Sequence, residues 1–163
     1  MKEKQEQVGM RGFIKIDHYD KVGNLIESVE TPNVVTNTGF TEVAALFGTN
    51  TAGSYTAFNY IGVGTGTTAA TYTNTQLVAE ITDSGLARAA VGTYNTLVTS
   101  AVANDTAQFQ HQFSVTSAQA VTESAIFNAS SVGTCLCRQT FSPINVASGD
   151  TLQITWKVTV SRP

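Results

Sequence analysis

Few residues in this chain have the type and spacing to do chemistry. The run Gly62, Val63, Gly64, Thr65, Gly66, Thr67, Thr68 follows an apolar segment and resembles a phosphate-cradling loop in composition. It lacks the Gly-Lys-Ser/Thr ending that reaches a nucleotide phosphate, and Thr67 stands where the dinucleotide fingerprint needs its third glycine. No helix N-terminus follows at once to hold an anion. The run therefore reads as a tight strand-to-loop turn in which glycine permits unusual dihedrals. Of the two histidines, His18 neighbours Asp17 and Asp20, but Asp17 points to the other face of an extended segment, so a metal there would need distant ligands. His111 shares the apolar face of an alternating strand with Phe109 and Phe113 and reads as a hydrogen-bonded core or interface residue. Cys135 and Cys137, at i and i+2 of a strand, share a face too far apart for an unstrained disulfide and read as free packing thiols. No nucleophile elbow and no paired carboxylates stand out. The expectation is no catalytic residue, no metal and no cofactor. Arg88 and Glu123 are each a lone charge in an apolar or neutral strand, and a pair between them across a sandwich would fix register. The alternative is two solvated charges.

The elements that position these residues are read from pattern. Residues 151–161 alternate strictly, with Leu152, Ile154, Trp156, Val158 and Val160 on one face. Residues 108–115 alternate as well, and both read as strands with one face in a core. Residues 11–19, a turn at 20–24 and residues 25–30 form a hairpin. Phe40, Val43, Ala44 and Phe47 fall at i, i+3, i+4 and i+7, predicting an amphipathic helix over 38–48, capped by Thr38 and ended by Gly48, that covers an end of a sheet. Residues 58–63 read as a buried strand, 75–81 as one helical turn, and 121–128 and 133–141 as further strands. The fold expected is all-β: a jelly-roll-like β-sandwich of about eight strands with one or two short helices.

The 163 residues suit one domain, with residues 1–9 a flexible arm and 10–163 the sandwich. Charged residues are only 13% of the chain, and roughly half of them lie in the first thirty positions. The rest of the polar surface is Thr, Ser, Asn and Gln, which is inexpensive to desolvate when subunits pack side by side. The net charge of -3, with no basic cluster, argues against nucleic acid as a partner, and no apolar run is long enough to suggest a membrane span or signal peptide. Met1, Lys2, Glu3, Lys4, Gln5, Glu6 and Gln7 form a charged arm with no apolar periodicity.

The order of segments is distinctive: a hairpin, then NVVTNTGF at 33–40, YIGVGTGTTA at 60–69, TQLVAE at 75–80 and a strand bearing Arg88. VTESAIFNA at 121–129, CRQTFSPI at 137–144 and DTLQITW at 150–156 follow. As a set, these resemble a family of small structural proteins of tailed bacteriophages, over nearly the whole chain from Gly12. The sequence departs from the family where a proline often follows the Gly-Thr run, since Ala69, Ala70 and Thr71 stand there. The resemblance implies a virion component without enzymatic activity, a capsid decoration (cement) protein bound to the major capsid protein. It would be a homo-oligomer, by analogy a trimer, made in the bacterial cytoplasm and carried on the capsid surface, with the arm of residues 1–7 as a capsid contact. The alternatives are a tail, baseplate or fibre component contacting the host surface, and a glycan-binding module using exposed Tyr55, Tyr60, Tyr72 or Tyr94.

Overall fold

The computed structural model describes residues 8–47, 56–97 and 102–161. Among them ten strands and one helix run in the order β1 (Gly9–Tyr19), β2 (Leu25–Pro32), β3 (Val34–Val35), α1 (Asn37–Leu46), β4 (Tyr60–Gly64), β5 (Ala89–Ala90), β6 (Thr93–Leu97), β7 (Thr106–Ser114), β8 (Gln119–Phe127), β9 (Cys135–Val146) and β10 (Thr151–Ser161). They form two five-stranded antiparallel sheets packed as a sandwich, ordered β2-β1-β10-β7-β6 and β3-β9-β8-β4-β5. The chain changes sheet after β2, β5, β7 and β9, so neither sheet is built from one contiguous stretch. The expected sandwich is present, and the strands beyond the expected eight include the two-residue pieces β3 and β5.

Alternation in the longest strands decides the core. Ile14 and Ile16 of β1, Leu152, Ile154, Trp156 and Val158 of β10, and Phe109 and Phe113 of β7 face Ile61, Val63, Val121, Ile126, Cys137 and Ile144 of the second sheet. Trp156 is wholly buried, and its indole N–H donates to Ser124 Oγ across the sandwich at 3.2 Å. That bond satisfies the one polar atom its burial would otherwise strand.

The second sheet is covered on its outer side too. The segment from Thr65 to Arg88 folds back over it, and Leu77 packs there with Ala125, Phe127 and Cys135 in a second, smaller cluster. No helical turn forms at 75–81. The N–H groups of Val78 and Ala79 are taken by the Glu123 carboxylate, at 3.1 and 2.7 Å, and Ile81 N–H bonds to Val63 O. Backbone donors engaged that way cannot close a helical turn.

Two further expectations are corrected. The helix is capped by Thr36, not Thr38, with Gly39 N–H donating to Thr36 Oγ1 at 2.9 Å; its C-cap is Phe47, and Gly48, expected to end it, lies outside the described residues. It docks on β9 through Gly39, where an added Cβ would lie 2.6 Å from the Leu136 carbonyl oxygen, while much of its apolar stripe faces out. The arm expected over residues 1–9 ends earlier, since Gly9 pairs with Ser161 in β1; residues 1–7 lie outside the described residues.

Candidate functional site

Arg88 and Glu123, expected as partners across the sandwich or as solvated charges, are neither. Both side chains lie on the outer side of the second sheet, Glu123 under the 65–88 segment and Arg88 at that segment's end, and each has another partner. Glu123 faces Gly64 across the β4–β8 ladder and is wholly buried. Its carboxylate accepts from the backbone N–H groups of Gly66, Val78 and Ala79 and from Arg138 Nε at 2.8 Å. Arg138, equally buried, reaches Glu123 Oε2 through Nη2 as well at 2.7 Å, and donates to Asn74 Oδ1 and to the Thr68 carbonyl. The glycine-rich run does surround an anion, but the anion is the chain's own Glu123. Gly64 and Gly66 serve close approach rather than unusual dihedrals: neither has a positive φ, and an added Cβ at either would press on the Glu123 carboxylate. Thr122 Oγ1, donating to Gly66 O, completes the seam.

Arg88 forks onto Glu80, with both contacts at 2.7 Å, while Nη1 donates to the Ala129 and Val132 carbonyls. Its guanidinium carbon sits 3.5 Å above the centre of the Phe127 ring. Both arginines are therefore fasteners that hold the 65–88 segment and the β8–β9 loop on the sheet, and they leave no donor set open to a ligand.

The other candidates are likewise part of the packing. His18 Nε2 lies 2.8 Å from Asp150 Oδ2, joining β1 to the turn before β10. The Ala147 N–H and then His18 hold the Asp150 carboxyl below its ordinary range. Asp17, on the opposite face, takes Lys15 Nζ at 2.8 Å and Ser28 Oγ at 2.6 Å. His111 stands edge-on to Phe113 with its Nδ1 buried and unbonded, and burial lowers its pKa. Cys135 and Cys137 do not share a face. β8 pairs Ile126 with Cys137 but Phe127 with Cys135, so Leu136 is a bulge that turns Cys137 into the core and Cys135 into the outer cluster. Burial pushes the Cys135 thiol up to about 12 and Cys137 well above its ordinary value.

Of the four tyrosines on which glycan binding would rest, Tyr55 lies outside the described residues and Tyr60 packs in the outer cluster. Tyr94 leans on Phe109 at 5.3 Å, beside an apolar hollow of about 350 Å³, and Tyr72 is exposed. No three His, Cys, Asp or Glu side chains among the described residues are grouped to hold a metal ion. No helix among them is long and apolar enough to cross a membrane.

What the fold presents is a broad face. On the outer side of the first sheet, cross-strand pairing lines up Thr93, Gln110, Thr155, Lys15 and Glu30 in one row. Gln112, Gln153, Asp17 and Ser28 form the next row. Amides and hydroxyls dominate, Gln110 Nε2 donates to Thr155 Oγ1 at 3.1 Å, and Asp17 is already neutralised by Lys15. Such a surface offers hydrogen-bonding groups with little unpaired charge to desolvate. No protein-family model, no curated protein and no solved structure matches this chain.

Proposed function

We propose that this chain is a structural protein of a bacteriophage virion, without enzymatic activity, and that it works by contact as a decoration (cement) protein on the major capsid protein shell. The observation that carries this reading is the outer face of the first sheet, where the amides and hydroxyls of Thr93, Gln110, Gln112, Gln153 and Ser28 outnumber the charged Lys15, Asp17 and Glu30. A face of that kind suits repeated protein–protein contact: each copy adds modest contact energy, and a symmetric lattice sums it. The segment resemblance to small virion proteins of tailed phages supports the same reading. In it the charged arm, Met1 to Gln7, adds contacts by ordering on a neighbouring subunit, and the protein is made in the host cytoplasm and assembles with copies of itself.

The deciding experiment is the copy number of this chain in purified phage particles relative to the major capsid protein, by quantitative mass spectrometry. A ratio near that of the capsid lattice is expected. A few copies per particle would move the protein to the tail or baseplate, and absence from particles would end the virion reading. Removing residues 1–7 should weaken binding to undecorated capsids while leaving the melting transition in place; equal binding would remove the role of the arm.

A further inference from the structure

Helix α1 turns apolar side chains outward. Phe40 is 46% and Phe47 86% exposed, and Ala44 between them is exposed as well. With Val43 they line a groove of about 190 Å³ whose other wall is Val8, Gly9 and Met10 at the start of β1 and Val160 at the end of β10. An apolar cavity of about 150 Å³ accepts benzene, so this groove has room for a phenyl ring. Residues 2–7 of the same chain carry no apolar side chain with which to fill it.

The stripe itself says what fits. Phe40, Val43, Ala44 and Phe47 are spaced symmetrically about the midpoint between positions 43 and 44. A two-fold axis through that point sets Phe40 of one copy against Phe47 of the other, twice, and Val43 against Ala44 in the middle, where small side chains let the helices approach. The one charge on the helix, Glu42, is half-buried and accepts from Asn128 Nδ2 at 3.2 Å. We propose that the groove is occupied by a second copy of this chain: an isologous dimer with the two α1 helices antiparallel across the axis and Phe47 of each copy seated in the groove of the other. The exposed side chains of Val8, Phe40, Phe47 and Val160 offer roughly 400 Å² of apolar surface per copy. With a polar rim the pair buries on the order of 1,000–1,400 Å² in all, the low end of specific interfaces, so the dimer is reversible. It stands on α1 and its groove alone and does not rest on the virion reading.

The test is sedimentation velocity and light scattering on the purified full chain over a concentration series, with Phe47→Ser and Phe40→Ser beside it. The mass is expected to rise from 17.2 kDa toward twice that value. Phe47→Ser should keep the parent's circular dichroism and melting transition, since that residue is 86% exposed, and Phe40→Ser should keep the circular dichroism with a somewhat lower melting point, yet each should weaken dimerisation about tenfold or more, as loss of a central aromatic anchor does. Ala44→Cys, next to the axis, should give a disulfide-linked dimer on mild oxidation, whereas Val22→Cys, in the turn at the far end of β1, should not. A chain monomeric throughout the series, an oligomer that Phe47→Ser leaves intact, or Ala44→Cys linking no better than Val22→Cys would each overturn the proposal.

Discussion

Arg138 Nη2 and Glu123 Oε2 stand 2.7 Å apart with both side chains wholly out of solvent, on the outer side of a sheet rather than in the core between the two sheets. The pair is held further by three backbone N–H groups on the carboxylate and by Asn74 and Thr68 on the guanidinium. Removing one partner strands a buried charge, so Glu123→Ala and Arg138→Ala should each destabilise by about 3–5 kcal/mol. Arg138→Lys should fall close to Arg138→Ala, because an ammonium cannot span three acceptors set for a fork. Chemical denaturation with a double-mutant cycle checks both claims; a coupling near zero would show that the pair does not act as a unit.

Arg88 belongs to Glu80, not to Glu123. A cycle on Arg88→Ala and Glu80→Ala should give a coupling of about 1–3 kcal/mol, since the pair is forked and mostly buried. Part of the Arg88→Ala loss should persist in the Glu80→Ala background, because the guanidinium also covers Phe127 and holds two carbonyls. Thermal melts of the four proteins measure it.

These partners show where the sequence runs out. The alternation at 108–115 and 151–161, the hairpin and the helix near 38–48 are local patterns, and local patterns carry strand and helix identity. That Glu123 would be buried was not legible, because the segment that covers it closes a long loop, and lone charges look alike in sequence whether buried or solvated. The faces of Cys135 and Cys137 follow from a single extra residue, Leu136, and a one-residue bulge inverts every side chain beyond it. The glycines of 62–66 read as a turn needing unusual dihedrals, and nothing in their spacing says that they instead make room for an internal anion. The outward turn of Phe40 and Phe47 was hidden because a 3.6-residue period marks an apolar face without saying what lies against it.

The turn before β10 should give the fold a limb in acid. Asp150 is held below its ordinary pKa by the Ala147 N–H and then by His18. A carboxyl with a depressed folded-state pKa contributes stability that is fully present above its unfolded value, about 3.9, and is lost as pH falls through the folded value. Asp150→Asn should therefore be less stable than the parent at pH 7, by about 1–2 kcal/mol, and the gap should close as the pH drops below about 4. A gap that stays constant in urea denaturations between pH 7 and pH 3 would remove Asp150 from the acid limb.

The thiols should be silent while the fold is intact. Both are fully buried and held protonated well into the alkaline range, by burial above all. At pH 8 a thiol reagent such as iodoacetamide should label neither Cys135 nor Cys137 faster than the protein opens, and both at once in guanidinium. Rapid labelling of Cys135 alone would mean that the 65–88 cover opens independently of the sandwich.

The β8–β9 loop holds one residue against its own preference. Val132 has φ of 56°, a left-handed conformation that a β-branched side chain rarely takes, and its side chain lies in solvent, 87% exposed. Its backbone is fixed from two sides: Arg88 Nη1 donates to the Val132 carbonyl at 2.8 Å, and Thr134 N–H donates to Asn128 Oδ1 at 2.7 Å. Because the valine side chain contributes little packing there, Val132→Gly should relieve the strain and keep both bonds. The glycine's extra freedom in the unfolded chain offsets part of that gain, leaving a net stabilisation of about 0.5–1 kcal/mol. Gly133→Ala is the opposing control: its φ is also positive, and the new Cβ would lie 2.7 Å from Asn128 Oδ1, so it should destabilise by more than Val132→Gly stabilises. Melting the two variants beside the parent decides the matter, and a Val132→Gly protein that melts lower would show that the exposed valine is held by contacts worth more than the strain.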